Sequence, residues 1–317
     1  MTWSSAEVGV LVRAVNRAPS VHNSQPWTLE AHANSADLYE RFESSLPRHD
    51  PTGRDRLVSC GAALTNLELA VRALGWDAVV SLFPEPGHPD LVARVRGTTR
   101  KEATLAEVDR YSAIFQRRSY RQPFSPARIS RRHLRRLARA VTEPGTQARV
   151  IEPRRESEPL ADLLCHAATA LRGDRAYQRE LAAWLPHFQD PHDDGSTLPW
   201  AGLVRANTHL PDRITLTERL AREGLLILLT PDDGRRDHLL AGAAMEQIWL
   251  AALTEGLVAS VLTQPLHVPE VRAGLIEHLG LAGFPQTILR VGYPVDSPTT
   301  APRIPAAALP AHEEEPG

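Results

Sequence analysis

Two long stretches of the chain share one pattern of small, apolar and polar positions. Residues 53–75 align without gaps to residues 234–256, and both carry small residues on the first turns followed by apolar residues at helical spacing. Each stretch ends on a glycine, Gly75 or Gly256, as is typical of a helix terminus. The pattern predicts two long buried helices, and its repetition predicts that the chain is internally duplicated.

Short apolar stretches around these helices have the length and composition of β-strands. The predicted strands are residues 78–83 and 258–262 directly after the helices, residues 224–230 and 287–293 as buried central strands, and residues 27–31 and 36–40 as a hairpin. Helices and strands in this order predict an α+β fold, in which mixed central sheets are flanked by helices.

The duplication divides the chain into two repeats of unequal length. We assign residues 1–105 to a degenerate first repeat and residues 106–307 to the second, with a flexible tail at 308–317. The second repeat is longer because it contains an inserted, lid-like segment at about 153–212. Within this segment, the composition of residues 187–195 predicts an exposed polar loop, and long loops in compact domains often act as lids or binding elements.

Composition and charge narrow the class of protein. With 317 residues, 42% of them hydrophobic, the chain is long enough for a large core. Its net charge of −2 argues against nucleic-acid binding, which needs a strongly basic surface. No segment resembles a signal peptide or an apolar membrane span, so we expect a cytoplasmic protein without a membrane partner.

Local spacing indicates neither a metal site nor a separate nucleotide-binding loop. Cys60 and Cys165 lie far apart and outside any disulfide or metal-binding pattern. The histidines and aspartates within residues 187–194 lie among proline and glycine, which favours a solvated loop over a metal site. Neither GxGxxG nor GxxxxGK occurs. We therefore predict no bound metal and no Rossmann or P-loop site.

A short segment, RRSYR, concentrates cations and hydroxyl groups. Arg117, Arg118 and Ser119 could hold a phosphate through charge-assisted hydrogen bonds. Arg121 could then reach a second anionic or carbonyl group. The alternative is a solvated basic turn before a helix predicted at 130–141, whose own arginines show how common exposed arginine is in this chain.

A second polar segment, PSVHNSQPW, joins the first predicted helix to the first strand. Ser20, Asn23 and Gln25 can each donate and accept hydrogen bonds, which suits the edge of a planar polar ring. The alternative is a structural turn, because proline, serine and asparagine favour turns. His22 invites an acid–base role, although we favour a single structural hydrogen bond for this loop histidine.

Together these two segments resemble the flavin-contacting motifs of the nitroreductase family of FMN-dependent oxidoreductases, R-x-S-x-R and A-P-S-x-x-N-x-Q-P-W. Further matches follow in the family order towards the C-terminus. They are Gly242-Ala243-Ala244, Leu266–Arg272, Val291–Pro294 and Pro302–Pro305. The resemblance covers nearly the whole chain and implies an FMN cofactor.

Ordinary members of this family are homodimers, in which one subunit supplies the R-x-S-x-R segment and the other supplies the P-S-x-x-N segment of each flavin site. Here the first repeat has only the second motif, and the second repeat has only the first. These complementary losses resemble the Acg-like branch of the family, whose chains are fused repeats. The resemblance therefore implies a monomeric pseudo-dimer with one composite FMN site.

The resemblance also implies roles for individual residues. Arg117 and Ser119, with Arg303, would hold the phosphate and the ribityl chain. Arg121 would lie near the N1–C2=O edge of the isoalloxazine ring, where reduction places negative charge. The other cofactor-binding residues are Arg118 in the same segment, Pro19, Ser20, Asn23 and Gln25 at the ring, and Gln264 and Pro265 near flavin N5.

These features predict an FMN-dependent oxidoreductase that transfers hydride or electrons between NAD(P)H, or an organic substrate, and a small-molecule acceptor such as a nitroaromatic or a quinone. No side chain is assigned as catalytic, because the flavin itself accepts and donates hydride. Two alternatives stay open. One is a protein that sequesters FMN without turnover, and the other is a pathway-specific flavin dehydrogenase or desaturase.

Overall fold

The computed structural model describes residues 2–184, 204–205 and 212–295. Its helices are α1 (Ser5–Val15), α2 (Arg54–Ala73), α3 (Leu105–Gln116), α4 (Arg131–Ala138), α5 (Pro153–Gly173), α6 (Arg175–Trp184), α7 (Arg213–Leu220), α8 (Arg235–Thr254) and α9 (Pro269–Leu279). Its strands are β1 (Trp27–Ala31), β2 (Ser35–Glu40), β3 (Trp76–Leu82), β4 (Leu91–Arg100), β5 (Gln147–Val150), β6 (Gly224–Thr230), β7 (Val258–Leu262) and β8 (Phe284–Gly292).

The two predicted long helices, α2 and α8, form the centre of the molecule. Each has 20 residues, and most of them are buried. A helix that is covered on every side carries small and apolar residues all round instead of on one stripe. The prediction of two long buried helices is therefore confirmed.

Helices α2 and α8 cross at a pair of aligned glycines. A Cβ atom added to Gly61 would lie 1.9 Å from the backbone oxygen of Leu239. One added to Gly242 would lie 1.9 Å from the backbone oxygen of Val58. The two backbones therefore approach each other more closely than any residue with a side chain would allow.

Each half of the chain forms one four-stranded sheet. The strand orders are β1-β2-β4-β3 and β5-β6-β8-β7, so the second sheet repeats the order of the first. The predicted hairpin is confirmed as the antiparallel pair β1–β2, in which Trp27 lies opposite Glu40. The strands predicted at 224–230 and 258–262 coincide with β6 and β7.

The α+β class is confirmed, but the prediction of mixed sheets is corrected. All pairings between the named strands are antiparallel. Within the described ranges, the one parallel pairing is an isolated bridge between Ser119 and Ala259. The reason is that β3 and β7, which follow the long helices, take edge positions antiparallel to β4 and β8.

The equivalence of the two halves supports the predicted duplication. The sheets share one strand order, and the aligned helices cross at aligned glycines. The repeat boundary at residue 105 stays a prediction. The inserted segment contributes α5 and α6 to the described structure, whereas its loop at 187–195, the tail at 308–317 and Arg303 lie outside the described residues.

Apolar packing joins the two halves. The largest cluster of buried residues contains Leu67 of α2 together with Ile248 of α8 and side chains from both sheets. A second cluster packs α5 and α9 against β6 through residues such as Leu160, Leu275 and Ile227. In the part of the chain that the structure covers, no helix is long and apolar enough to cross a bilayer.

We expect Gly242→Ala to destabilise the fold, although alanine is the better helix former. The added methyl group would meet the Val58 carbonyl and force the helices apart, which costs about 1–3 kcal/mol. Urea denaturation followed by circular dichroism measures the change in free energy of unfolding. Gly173→Ala is the control, because a Cβ atom at this exposed helical position meets nothing within 4 Å. Equal effects of the two substitutions would contradict a sterically restricted crossing.

Candidate functional site

A cleft between the two halves of the chain brings together residues from both predicted motifs. It encloses about 770 Å³, part of which is open to solvent. Its walls include Pro19 and Ser20 of the first motif, Ser119 and Arg121 of the second motif, and Gln264 after β7. These predicted site residues therefore lie around one space, although they are far apart in the sequence.

The turn between α1 and β1 holds the first motif in a strained conformation. Three of its residues have the positive φ angles that residues other than glycine rarely adopt. They are His22 at 49°, Asn23 at 53° and Gln25 at 46°. The backbone N–H of Gln25 donates a hydrogen bond to Ser20 Oγ at 3.1 Å, and that of Val21 donates to Ser59 Oγ on α2 at 3.2 Å. The serine side chains therefore stabilise the strained backbone and attach it to the central helix.

The second motif follows the C-terminus of α3 and runs beside β7. Ser119 forms the parallel bridge with Ala259, and the backbone N–H of Tyr120 donates to the Ala259 oxygen at 2.9 Å. The backbone of the motif is thereby fixed to the strand. Ser119 and Arg121 line the cleft from this position.

Arg117, which was predicted to hold a phosphate, is buried behind the cleft. Its Nε lies 3.5 Å from Glu246 Oε1, and its guanidinium carbon lies 4.7 Å from the centre of the Trp249 ring. Its Nη2 donates to the backbone oxygen of Arg17 at 3.0 Å. Burial lowers the pKa of Arg117, and the charge of Glu246 opposes this shift. Arg117 thus supports Trp249, which itself lines the cleft.

Two buried donors line the cleft without an acceptor in the described part of the chain. They are Trp249 Nε1 on α8 and Gln264 Nε2 in a short 3-10 helix after β7. The other amide atom, Gln264 Oε1, accepts a hydrogen bond from the backbone N–H of Val204 at 3.3 Å. Leaving a buried donor unsatisfied costs about 1–3 kcal/mol, so such groups are uncommon. A ligand that reached either donor would have to offer it an acceptor atom.

A group of histidine and aspartate side chains beside the cleft was not predicted. His22 Nε2 lies 2.9 Å from His49 Nδ1, and His49 Nε2 lies 3.7 Å from Asp55 Oδ2. His267 Nε2 lies 2.9 Å from the same carboxylate oxygen. These four residues, His22, His49, Asp55 and His267, form a histidine–aspartate cluster. His22, His49 and Asp55 line the cleft.

Burial and proximity shift the pKa values within the cluster. Burial, together with the charge of His49, lowers the pKa of His22 to about 2, so this imidazole is neutral at neutral pH. Burial also lowers the pKa of His267, against the opposing effect of Asp55. Burial acts to raise the pKa of Asp55, but His267, His49 and Arg54 outweigh it and hold that pKa well below its usual value. An ionised carboxylate thus lies beside a neutral imidazole.

The cluster escaped prediction because its members come from separate segments. One signal was available, since α2 opens with three charged residues, of which Arg54 and Asp55 are buried. Charged residues in a buried helical turn require partners, and these partners are His49 and His267. The spacing of residues along the sequence could not identify these partners, because His267 lies far from α2 in the chain.

Several predicted site residues do not line the cleft. Asn23 and Gln25 belong to the strained turn, and Arg118 and Pro265 neighbour lining residues in the chain. Arg303 lies outside the described residues.

Relatives of the chain occur in Mycobacterium tuberculosis strain H37Rv, where two carry the name "Putative NAD(P)H nitroreductase". Rv3131 is 30% identical over 294 residues, which cover 90% of this chain and 84% of that protein. The second, acg, is 29% identical over 311 residues, which cover 93% of this chain and 91% of that protein. The uncharacterized protein Rv3127 is 30% identical over 316 residues, covering 93% of this chain and 86% of its own.

Family models and solved structures say less about the chain than these sequence relatives do. No protein-family model matches the chain. A solved nitroreductase with bound FMN from Bacteroides fragilis is 15% identical, with a TM-score of 0.43, and the match covers 64% of this chain and 98% of that one. The assignment therefore depends on the sequence relatives, which match nearly the full length. On that basis, the chain belongs to the nitroreductase family, in its Acg-like branch.

Proposed function

We propose that this chain binds one FMN in the cleft and uses it as an NAD(P)H-dependent oxidoreductase. The observation that carries the proposal is that the two motifs, one from each half of the chain, line the same cleft. Pro19 and Ser20 from the first half line the same space as Ser119 and Arg121 from the second half. Each half thus supplies the segment that the other half lacks.

The chemistry of the cleft fits FMN. The buried donors Trp249 Nε1 and Gln264 Nε2 suit the carbonyl and ring-nitrogen acceptors of the isoalloxazine edge. Arg121 adds a cation, which would stabilise the negative charge that the ring gains on reduction. Ser119 supplies a hydroxyl group for the ribityl chain or the phosphate.

We propose that the main role of Arg117 is to hold the Trp249 ring in position. Its guanidinium pairs with Glu246 and lies over Trp249, so it holds that ring at the cleft. Direct contact between Arg117 and the phosphate stays a prediction from the family resemblance. The same holds for Arg118, Asn23, Gln25, Pro265 and Arg303.

A single FMN per chain is favoured by what lies at the pseudo-symmetric position. The aligned counterpart of Trp249 is Glu68 on α2. Burial, together with the charges of Glu143 and Glu107, raises the pKa of Glu68 to about 7. Where Trp249 offers a donor, an ionised carboxylate offers only acceptors, which would not suit the acceptor edge of a second isoalloxazine ring.

The proposed activity follows from the family and from the open cleft. Bound FMN would supply hydride transfer between NAD(P)H and a small-molecule acceptor, for example a nitroaromatic or a quinone. The contribution of the chain is to bind and orient. The strained turn holds Ser20 in place, Arg121 provides a fixed charge, and Val261 and Leu262 of β7 form an apolar part of the wall.

Titration of FMN-free protein with FMN, followed by flavin fluorescence, tests the site. We expect one FMN per chain, and about 10- to 100-fold weaker binding by Arg121→Gln, because a lost hydrogen bond to a charged group costs about 1.5–3 kcal/mol. Arg132→Gln is the matched control, since Arg132 is exposed on α4 and outside the cleft. A wild-type protein that takes up no FMN, or an equal loss in both variants, would refute the proposed site.

A second candidate function, storage of FMN without turnover, is favoured by the position of the inserted segment. Glu180 on α6 accepts hydrogen bonds from the backbone N–H groups of Arg48 at 3.0 Å and His49 at 2.7 Å. Tyr177 stacks on His49 with ring centres 5.8 Å apart. With Val204 bonded to Gln264, the insertion contacts the cleft at two places. A cover of this kind would keep nicotinamide away from the flavin.

Stopped-flow mixing of the FMN-loaded protein with NADPH separates the two functions. We expect prompt loss of flavin absorbance under anaerobic conditions, because the cleft is partly open to solvent. Reoxidation by a quinone added in a second mix should then restore the absorbance. Flavin that binds but is never reduced by NADPH would favour storage over catalysis.

The quaternary state follows from the internal pairing of the halves. Because α2 and α8 already form the contact that two subunits would otherwise supply, we propose that the chain is a monomer. Light scattering after size exclusion should give the mass of one chain at micromolar concentration. A stable mass of two chains would contradict the proposal.

A further inference from the structure

The histidine–aspartate cluster has features that the proposed flavin site does not require. His49, Asp55 and His267 each offer one possible ligand atom, and these three atoms all lie within 4.8 Å of one another. The side chains of His49 and Asp55 are only 3% and 2% exposed, and that of His267 is 8% exposed. Polar groups at this depth need partners.

Two polar atoms of the cluster lie close to other cluster atoms without forming a hydrogen bond to them. Neither His49 Nε2 nor Asp55 Oδ2 has a hydrogen bond of acceptable geometry within the described ranges. The Asp55 oxygen nevertheless lies 2.9 Å from His267 Nε2 and 3.7 Å from His49 Nε2. Nitrogen and oxygen ligands of a tetrahedral zinc ion, each about 2.0–2.2 Å from the metal, lie about 3.3–3.5 Å apart. The two observed distances bracket this separation.

Contacts with neighbouring residues orient the His49 ring and the Asp55 carboxylate, as such contacts do for the ligands of metal sites. His49 Nδ1 lies 2.9 Å from His22 Nε2, so its N–H can donate there and leave the Nε2 lone pair available. Asp55 Oδ1 lies 3.4 Å from Arg54 Nε, which leaves Oδ2 as the unsatisfied oxygen. Metal-binding imidazoles and carboxylates usually have second contacts of this kind.

Arg54 also opposes metal binding. Its Nη2 lies 3.3 Å from His267 Nε2, so a metal must displace this contact and tolerate a nearby positive charge. The guanidinium is held in place by the backbone oxygens of Leu266 at 3.0 Å and Thr263 at 3.3 Å. We therefore expect affinity to rise when the charge of Arg54 is removed.

We propose that His49, Asp55 and His267 form a binding site for a divalent transition metal of the zinc type. Two imidazole nitrogens and one carboxylate oxygen suit zinc and its first-row neighbours, whereas Mg²⁺ and Ca²⁺ prefer oxygen ligands alone. Because His49 and Asp55 line the cleft, a fourth ligand on that side would be water or an oxygen atom of a small molecule. This site does not depend on the proposed FMN site.

Titration of the tag-free full chain with Zn²⁺ against a chelating indicator tests the proposal. We expect one Zn²⁺ per chain, at least about tenfold weaker binding by His49→Phe and by Asp55→Asn, and no binding of Mg²⁺ at the same concentration. His88→Ala is the control, because His88 is exposed and outside the cluster. Arg54→Gln should bind Zn²⁺ more tightly than the wild-type protein.

X-ray absorption at the zinc edge gives an answer that does not depend on how the variants fold. We expect two imidazole ligands and at least one oxygen at about 2.0–2.2 Å in the wild-type protein. The proposal is overturned if the wild-type chain binds no stoichiometric Zn²⁺, if the spectrum lacks two imidazoles, or if folded His49→Phe and Asp55→Asn bind as tightly as the wild type. Zinc binding by a chain that takes up no FMN would support this site and count against the flavin proposal alone.

Discussion

Helices α2 and α8 touch through their backbones at Gly61 and Gly242, and this contact sets the distance between the two halves of the molecule. Close to it, Thr65 Oγ1 donates a hydrogen bond to the backbone oxygen of Ala243 at 3.1 Å, which adds a directional link between the helices. A crossing this close leaves no room for a side chain, so the separation cannot vary without breaking the packing around it.

The width of the cleft depends on that crossing, because its two walls are attached to α2 and α8. The first motif is hydrogen-bonded to α2 through Ser59, and Cys60 on the next position donates from Sγ to the backbone oxygen of Pro26 at 3.2 Å. On the opposite side, Met245 and Trp249 reach the cleft from α8. Both walls are thus attached to the same pair of helices, and Arg117 packs against Trp249 in one of them.

Arginine is used inside this protein as well as on its surface. Arg290 is fully buried, and its Nε and Nη2 bond to Glu223 at 2.7 and 2.8 Å. Arg117 makes a longer contact with a buried carboxylate, with Nε 3.5 Å from Glu246 Oε1. A buried ion pair contributes little net stability, but removing one partner leaves an uncompensated charge that costs about 3–5 kcal/mol. These pairs therefore restrict how the strands and helices can pack, and the family motif that contains Arg117 serves the fold as well as the cleft.

The sequence by itself determined the long helices, the hairpin, most strands and the two motifs, because periodicity and turn chemistry are local properties of the chain. It also indicated that the motifs complement each other. Only the tertiary structure decided that Ser119 and Arg121 line the cleft while Arg117 turns towards Glu246, and that the sheets are antiparallel. The histidine–aspartate cluster likewise exists only after folding, since burial and the approach of distant segments create it. Side-chain direction and partner choice depend on such long-range contacts, which no local pattern encodes.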